Sequence, residues 1–258
     1  MSLSSEAIQN GARELARRRR DGLHGPALDA ACRPQSLADA LAIQAAVSDH
    51  LGDEVGGWKC GLPSEDRIVV APIYQRTIHT STACPVWAAQ GAVRVEPELA
   101  FLFGRDLPLS DRPFEVADLA AAVSTVRLAL ELIDSRYDEG AELTFADRLA
   151  DGLVNQGLWL GPELPWAEAC GASSFDVQWG VVDQPAVTLP GRHPSDNPVA
   201  PLLWLANHFR QSGRQIRAGQ AVITGSYAGT FACPVGPDLS FRYGVWTPFS
   251  LRFHARSC

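Results

Sequence analysis

The sequence predicts an α+β protein in which a small helical N-terminal region precedes a β-rich core. Residues 1–54 carry apolar side chains at helical spacing. From about residue 90, short apolar runs separated by turn residues are typical of strands. Near the end of the chain, Phe249, Leu251 and Phe253 alternate with polar residues, which indicates a half-buried closing strand. We therefore divide the chain into a helical α/β region, residues 1–88, and a β-rich core, residues 89–258.

Two helices are predicted in the N-terminal region. The first spans residues 5–21, with an apolar stripe that includes Ala12 and Leu15. It ends in a basic run at residues 17–20, which we interpret as a solvated face near the C-terminus, where the helix dipole favours cations. The second helix begins at Ser36, where Asp39 completes a pattern resembling a capping box, and runs to about residue 51.

The core follows as alternating strands and short helices. Residues 124–136 form a long apolar run that predicts a central strand. The other predicted strands span residues 58–60, 68–73, 92–103, 157–160, 175–182, 220–225 and 249–254. The predicted helices span residues 116–122, 145–151 and 201–212.

Composition restricts the class of protein. A net charge of −7 argues against nucleic acid as the main partner. No apolar run reaches the ~18 residues that a membrane helix needs, so we expect no membrane partner. The first twenty residues are polar and basic, unlike a secretory signal. The six cysteines form no C-x-x-C pair and no zinc-like spacing with histidine. We therefore expect a cytoplasmic protein with reduced thiols.

A pair of acids in the strand at residues 92–103 is the first candidate site. Side chains at i and i+2 share a face of a strand, so Glu96 and Glu98 point the same way. Pro97 between them removes a ladder donor, which suits an edge or a bulge. Two neighbouring carboxylates repel each other unless a cation lies between them. A solvated strand face is the alternative interpretation.

A third acid, Glu131, lies inside the apolar run of the central strand. Burying an unpaired carboxylate there is costly, so it must meet a metal ion or pair with an arginine such as Arg127 or Arg136. Ligation by carboxylates alone suits a hard ion such as Mg²⁺ or Mn²⁺, and not zinc.

Several motifs in order resemble the fumarylacetoacetate hydrolase superfamily. They are Gly-Trp-Lys-Cys-Gly-Leu at residues 57–62, Glu-Pro-Glu-Leu-Ala-Phe at 96–101, Gly-Arg-Asp-Leu at 104–107, Glu-Leu-Ile-Asp-Ser-Arg at 131–136, Trp-Leu-Ala-Asn at 204–207 and Ala-Gly-Gln-Ala-Val-Ile-Thr-Gly-Ser at 218–226. The resemblance is greater to the branch of 2-oxopent-4-enoate hydratases and 4-oxalocrotonate decarboxylases, and it covers nearly the whole chain. It implies a rolled, partly barrel-like β core behind a smaller helical region.

The resemblance also implies roles for seven residues. Glu96, Glu98 and Glu131 match the family's ligands for Mg²⁺ or Mn²⁺. Lys59 matches the lysine that reaches into the active site, and a lysine near a metal ion and apolar neighbours can have a lowered pKa suited to acid–base work. Residues 224–226 (Thr224, Gly225 and Ser226) match a turn that lines the substrate pocket. The alternatives are a surface lysine and ordinary turn chemistry.

The implied function is that of a metal-dependent lyase acting on a small 2-oxo acid in aromatic catabolism. Hydration of a 2-hydroxy-2,4-dienoate is the main hypothesis. The alternatives are decarboxylation of a 2-oxo dicarboxylate, carbon–carbon hydrolysis of an acylpyruvate, or a non-catalytic accessory subunit. We expect a homo-oligomer, which would also fit a decarboxylase–hydratase partnership.

The chain departs from the family pattern in two places. Residues 66–74 lack a clear match to the acidic residue of the family's loop, and residues 151–157 alter its Asp-Asn segment. We expect His79 to be structural, since a lone histidine is weak evidence of a site. We also expect Asp134 and Arg136 to form a local ion pair at the strand end.

Overall fold

The computed structural model describes residues 2–256 and confirms the α+β class. Its α-helices are α1 (Ser5–Asp21), α2 (Leu37–Leu51), α3 (Val116–Ala122), α4 (Phe145–Ala150), α5 (Trp166–Gly171) and α6 (Val199–Gln211), with a 3₁₀ turn at Gln75–Thr77. Its strands are β1 (Val55–Cys60), β2 (Val70–Tyr74), β3 (Ile78–His79), β4 (Ala83–Val86), β5 (Ala92–Phe103), β6 (Val123–Ile133), β7 (Asn155–Leu164), β8 (Ser174–Val181), β9 (Val187–Arg192), β10 (Ala221–Ile223), β11 (Phe231–Pro234), β12 (Asp238–Tyr243) and β13 (Phe249–Ala255).

The strands form two sheets. The larger has eight strands in the order β2-β1-β10-β5-β6-β7-β3, with β11 also pairing with β5. It curls, so that β2 near one end contacts β7 near the other. The smaller has five strands in the order β4-β13-β12-β8-β9. Strands on both sides of residue 88 share the larger sheet, since β1 pairs with β10; the domain boundary itself remains a prediction.

Three apolar clusters hold these layers together. The largest lies between the two sheets, where Phe101 of β5 and Phe241 of β12 are almost fully buried. A second cluster joins α1, α2 and α4. The third contains small and aliphatic side chains, among them Ala100, Ala129 and Ile223, on the other face of the curled sheet. Directly opposed residues of neighbouring strands lie on the same face of a sheet. The face that carries this third cluster therefore also carries the acids of β5 and β6.

The interpretation of the basic run as a solvated face is wrong for Arg19, which is half-buried and donates to the Asp151 carbonyl at 2.9 Å. It is also wrong for Arg18. Its side chain is 6% exposed and pairs with Glu14 at 2.7 Å. It also donates to the carbonyl oxygens of Pro26, at 2.8 Å, and Arg136, at 3.1 Å. Arg18 lies three residues after Leu15, which places it beside the apolar stripe of α1 and turns it toward the core. Arg17 and Arg20 remain exposed, as predicted.

Some elements differ from the sequence prediction. The short strands β3, β4, β9, β11 and β12 and the helix α5 were not predicted. Residues 70–74, part of the segment that departs from the family pattern, form strand β2, which overlaps the strand predicted over residues 68–73. No helix within residues 2–256 is both long and apolar enough to cross a lipid bilayer.

Candidate metal centre

The antiparallel pairing of β5 with β6 brings the three predicted glutamates together. Glu96 lies directly opposite Glu131, and Glu98 follows two residues along the same face. One carboxylate oxygen from each lies within 4.8 Å of the others. Glu98 and Glu131 are buried, while Glu96 is half-buried. The geometry therefore excludes the solvated strand face for Glu98, while Glu96 keeps part of its side chain exposed.

Pro97 occupies a position where β5 needs no ladder donor. On this side of β5, β10 pairs with residues 100–102 and β11 with residues 92–95, which leaves a gap between them. The carbonyl oxygen of Pro97 faces the gap, since it accepts a hydrogen bond from the Tyr227 backbone N–H at 2.9 Å. In an antiparallel strand the N–H and C=O of one residue point the same way, so the missing N–H of Pro97 also faces the gap.

Glu131 pairs with Lys59, and not with Arg127 or Arg136. The Lys59 ammonium lies 2.7 Å from Oε1 and 2.9 Å from Oε2 of Glu131. Asn155 Nδ2 donates to Oε1 at 2.8 Å. Arg136 instead binds Asp151, with 2.6 Å between Nε and Oδ1, and lies 3.9 Å from Asp134.

A turn in an uncommon backbone conformation completes the surroundings of Lys59. Gly152, Leu153 and Val154 have φ angles of 78°, 53° and 59°, which is costly for a β-branched residue such as Val154. The carbonyl oxygen of Leu153 accepts a hydrogen bond from Lys59 at 3.2 Å. This turn belongs to the segment that departs from the family pattern, and it places both Leu153 and Asn155 at the site.

Electrostatics separate the roles of the charged groups. Burial raises the pKa of Glu98 well above its usual value, and the carboxylates of Glu131 and Glu96 add to the shift. Burial likewise raises the pKa of Glu131, although Lys59 opposes it. For Lys59, burial favours a lower pKa, but Glu131 and Glu96 outweigh it and the net shift is upward. The carboxylates therefore act against the lowered lysine pKa that was expected beside a metal ion, and that expectation stays a prediction.

The loop that follows β10 contacts the same acids. The Gly225 N–H donates to Glu98 Oε2 at 2.7 Å. The Thr230 hydroxyl donates to Glu96 Oε1. The hydroxyl groups of Thr224 and Ser226 instead bond to His193 and to the Gly229 carbonyl. Of the predicted turn residues, Gly225 therefore contacts a glutamate directly, and substrate binding by all three remains a prediction.

The donor set fits a divalent hard cation. Three carboxylates face one ammonium, which leaves an excess of two negative charges when all are ionised. Oxygen donors of this kind are the ligands that Mg²⁺ and Mn²⁺ prefer. The excess charge equals that of one divalent ion, so the site matches such an ion in charge as well as in ligand chemistry.

Sequence reasoning missed three residues at or beside the site: Asn155, His193 and Thr230. Each has a partner that lies 24 or more residues away, and Asn155 lies in the altered segment at residues 151–157, to which no role was assigned. His79 contacts Arg256, with 3.3 Å between their nitrogens, and has no hydrogen bond to the glutamates. Lys59 is the single lysine of the sequence, and the motif analysis did not use this observation.

Comparisons with known proteins agree with the predicted resemblance. No family model matches the chain. It is 31% identical over 164 residues to a 4-oxalocrotonate decarboxylase from Pseudomonas sp, covering 62% of this chain and 59% of that one. It is 29% identical over 175 residues to the 2-oxo-hept-4-ene-1,7-dioate hydratase of Escherichia coli, covering 62% and 61%. The chain thus spans about three fifths of the length of these curated relatives.

Solved structures confirm the fold. The 4-oxalocrotonate decarboxylase from Pseudomonas putida G7, complexed with magnesium and adipate, has a TM-score of 0.80 at 19% identity, covering 98% of this chain and 99% of that one. A putative fumarylpyruvate hydrolase from Burkholderia cenocepacia has a TM-score of 0.53 at 14% identity, covering 78% and 89%. The predicted resemblance to this branch and the rolled β-rich fold are both confirmed.

Proposed function

We propose that the protein is a divalent-metal-dependent lyase that hydrates a 2-hydroxy-2,4-dienoate. The keto tautomer of this substrate is a small 2-oxo acid. The observation that carries the proposal is the cluster of Glu96, Glu98 and Glu131 with the Lys59 ammonium bonded to one of them. The names of the similar hydratases support this choice of reaction.

The three glutamates would hold the ion, which we propose to be Mg²⁺ or Mn²⁺. When bound, it would supply Lewis-acid stabilisation of negative charge on the keto oxygen. The decarboxylase that this fold resembles was solved with magnesium in one crystal and calcium in another, which supports a hard divalent ion.

Lys59 supplies the proton chemistry in this proposal. The Glu131 and Glu96 carboxylates raise the pKa of Lys59 against the effect of burial, so in this proposal Nζ acts as a proton or hydrogen-bond donor. Glu131 and the Leu153 carbonyl fix the position of Nζ. A donor fixed in this way favours a substrate oxygen that gains negative charge during the reaction.

Asn155 restricts Glu131 from the other side. Its amide donates to Oε1, the same oxygen that lies 2.7 Å from Lys59. Together the two donors orient the carboxylate, as residues around a metal ligand commonly do. Gly225 and Thr230 orient Glu98 and Glu96 in the same sense.

Decarboxylation of a 2-oxo dicarboxylate is the second candidate. Two observations favour it: the 31% identity to a 4-oxalocrotonate decarboxylase and the TM-score of 0.80 to another. Hydration, decarboxylation and the hydrolysis of an acylpyruvate all place negative charge on the keto oxygen, so one site suits all three. The mutual contacts of the four charged residues argue against a non-catalytic accessory subunit.

The test is an assay of the purified protein with Mg²⁺, Mn²⁺ or EDTA against 2-hydroxypenta-2,4-dienoate and 4-oxalocrotonate. Formation of a 4-hydroxy-2-oxo acid from the dienol, by addition of water and without release of CO₂, supports hydration. Release of CO₂ from 4-oxalocrotonate supports the second candidate. Glu131→Gln should abolish either activity. Glu163→Gln is the matched control, because Glu163 is an exposed glutamate of β7 in the same sheet. Activity that persists in EDTA would contradict the metal-dependent mechanism.

We also propose a homo-oligomer in the cytoplasm, which would allow partnership with a decarboxylase or a hydratase. The five cysteines within residues 2–256 are free, which fits a reducing compartment. Light scattering coupled to size-exclusion chromatography tests the oligomer, and a monomer at micromolar concentration would contradict it.

A further inference from the structure

His193 is a buried histidine with a partner at each ring nitrogen. It follows β9 and is 1% exposed. The Ser195 backbone N–H donates to Nδ1 at 3.2 Å, and Nε2 lies 3.3 Å from the Thr224 hydroxyl oxygen. Burial lowers the pKa of His193 to about 4, so the ring is neutral near pH 7. Because Nδ1 accepts, the single ring proton lies on Nε2 and is donated to Thr224.

The same loop packs against the glycine that follows Thr224. Gly225 has a φ of 139°, a conformation that favours glycine. A Cβ atom at this position would lie 3.1 and 3.2 Å from two ring carbons of Pro194 and 3.4 Å from His193 Nε2. His193 and Pro194 therefore hold the Thr224–Gly225 turn by one hydrogen bond and by close packing.

This turn is connected to the candidate metal centre through one backbone group. The Gly225 N–H donates to Glu98 Oε2 at 2.7 Å, and Glu98 is 2% exposed. A rotation of the Thr224–Gly225 peptide would move that N–H and leave the buried carboxylate without its donor. The direction of the Glu98 carboxylate thus depends on a peptide that His193 helps to fix.

We propose that His193 is a positioning residue for the metal centre, acting through Thr224 and Gly225 on Glu98. The inference rests on the proposed function, because it assumes that Glu98 is a metal ligand. It assigns Thr224 a supporting role under the site, since its hydroxyl faces His193. Groups that orient a metal ligand typically change metal affinity 10–100-fold when removed.

The experiment compares Mn²⁺ affinity, measured by calorimetry, across a small set of variants. His193→Phe removes both ring nitrogens and should weaken binding at least ~10-fold. His193→Gln keeps a donor at the end of the side chain and should recover most of the affinity. His79→Phe is the matched control, because His79 is a half-buried histidine whose pKa is likewise lowered to about 4 but whose hydrogen bond is to Arg256 and not to the Thr224–Gly225 turn. It should bind Mn²⁺ as the wild type does.

A double-mutant cycle tests the route through Thr224. Thr224→Val alone should weaken Mn²⁺ binding, and adding His193→Phe to it should weaken binding little further, because both remove the same hydrogen bond. Additive losses would overturn the proposed route. Metal-free melting curves identify any variant that has lost its fold.

Nitrogen-15 NMR of the metal-free wild type tests the hydrogen bond without any variant. The expected state is a neutral ring with its proton on Nε2; a proton on Nδ1 would overturn the inference. If the wild type binds Mn²⁺ and His193→Phe binds it with the same affinity, this inference is refuted and the proposed metal centre is not. A wild type that binds no Mn²⁺ would refute the proposed metal centre and the inference with it.

Discussion

Replacing Lys59 separates the charge of this residue from its proton chemistry. Lys59→Met keeps an apolar stem of similar length but removes the ammonium that contacts both oxygens of Glu131. Glu131 is fully buried, and Asn155 would remain as its hydrogen-bond donor. Breaking a buried ion pair by removing one partner costs about 3–5 kcal/mol. Because Glu131 can take up a proton when the ammonium is absent, we expect the free energy of unfolding to fall by about 3 kcal/mol, the lower end of that range.

The effect on turnover should be larger than the effect on metal binding. Loss of a positioned acid–base group typically lowers the rate by about 10²–10⁴-fold. Mn²⁺ should still bind, because all three carboxylates are intact. Lys59→Arg keeps the charge but cannot release its proton, so it should retain more of the stability without recovering turnover.

Urea unfolding, Mn²⁺ calorimetry and turnover of the dienol measure these three effects. Selective ¹⁵N-lysine labelling gives a direct view of the wild type, since Lys59 is the single lysine of the chain. Normal turnover in Lys59→Met would remove Lys59 from the mechanism. Full activity in Lys59→Arg would show that the charge matters and proton transfer does not.

Three other perturbations test separate parts of the structure. Thr230→Val should weaken Mn²⁺ binding about 10-fold, because the hydroxyl that donates to Glu96 is lost, and Thr230→Ser should restore it in the same titration. Arg18→Ala should lower the free energy of unfolding in urea by about 2–4 kcal/mol, since it leaves the buried carbonyl of Arg136 and the partly buried carbonyl of Pro26 without a charged donor. The exposed Arg20→Ala should stay within ~0.5 kcal/mol. Burial and Arg256 lower the pKa of His79 to about 4, so the folded state resists protonation of this residue and loses stability as pH falls from about 6.5 toward 4. In His79→Phe, the melting temperature should fall less steeply over this pH range. An equally steep fall in the variant would contradict the assignment.

The sequence predicts the long elements well and the pairings between them poorly. Helix α1 and strand β5 have the predicted bounds, because both carry a long apolar pattern of a single period. Strand β7 was predicted over four of its ten residues, and its N-terminal part begins with two polar residues that are nevertheless buried, of which Asn155 lies at the site. Buried polar residues are the positions where periodicity is least informative.

The same reasoning explains which parts of the site were found. Glu96 and Glu98 share a face through local strand geometry, so their proximity follows from their spacing. The partner of Glu131 was sought among neighbouring arginines, whereas the sheet order brings in Lys59 from 72 residues away. No local pattern encodes that contact. The family motif pointed to Lys59, and the sheet topology explains why it reaches Glu131.

The measurement that tests the central claim most directly is a calorimetric titration of Mn²⁺ into the metal-free wild type and three variants. We predict one ion per chain, with binding lost in Glu98→Gln and Glu131→Gln and retained in Glu163→Gln, because only the first two alter the cluster on the buried face of β5 and β6. Melting curves recorded with Mn²⁺ and with EDTA should differ for the wild type and agree for the two cluster variants, since an ion that binds only the folded state stabilises it by mass action. A wild type that binds no divalent ion, or cluster variants that bind it as well as the wild type does, would contradict the metal centre.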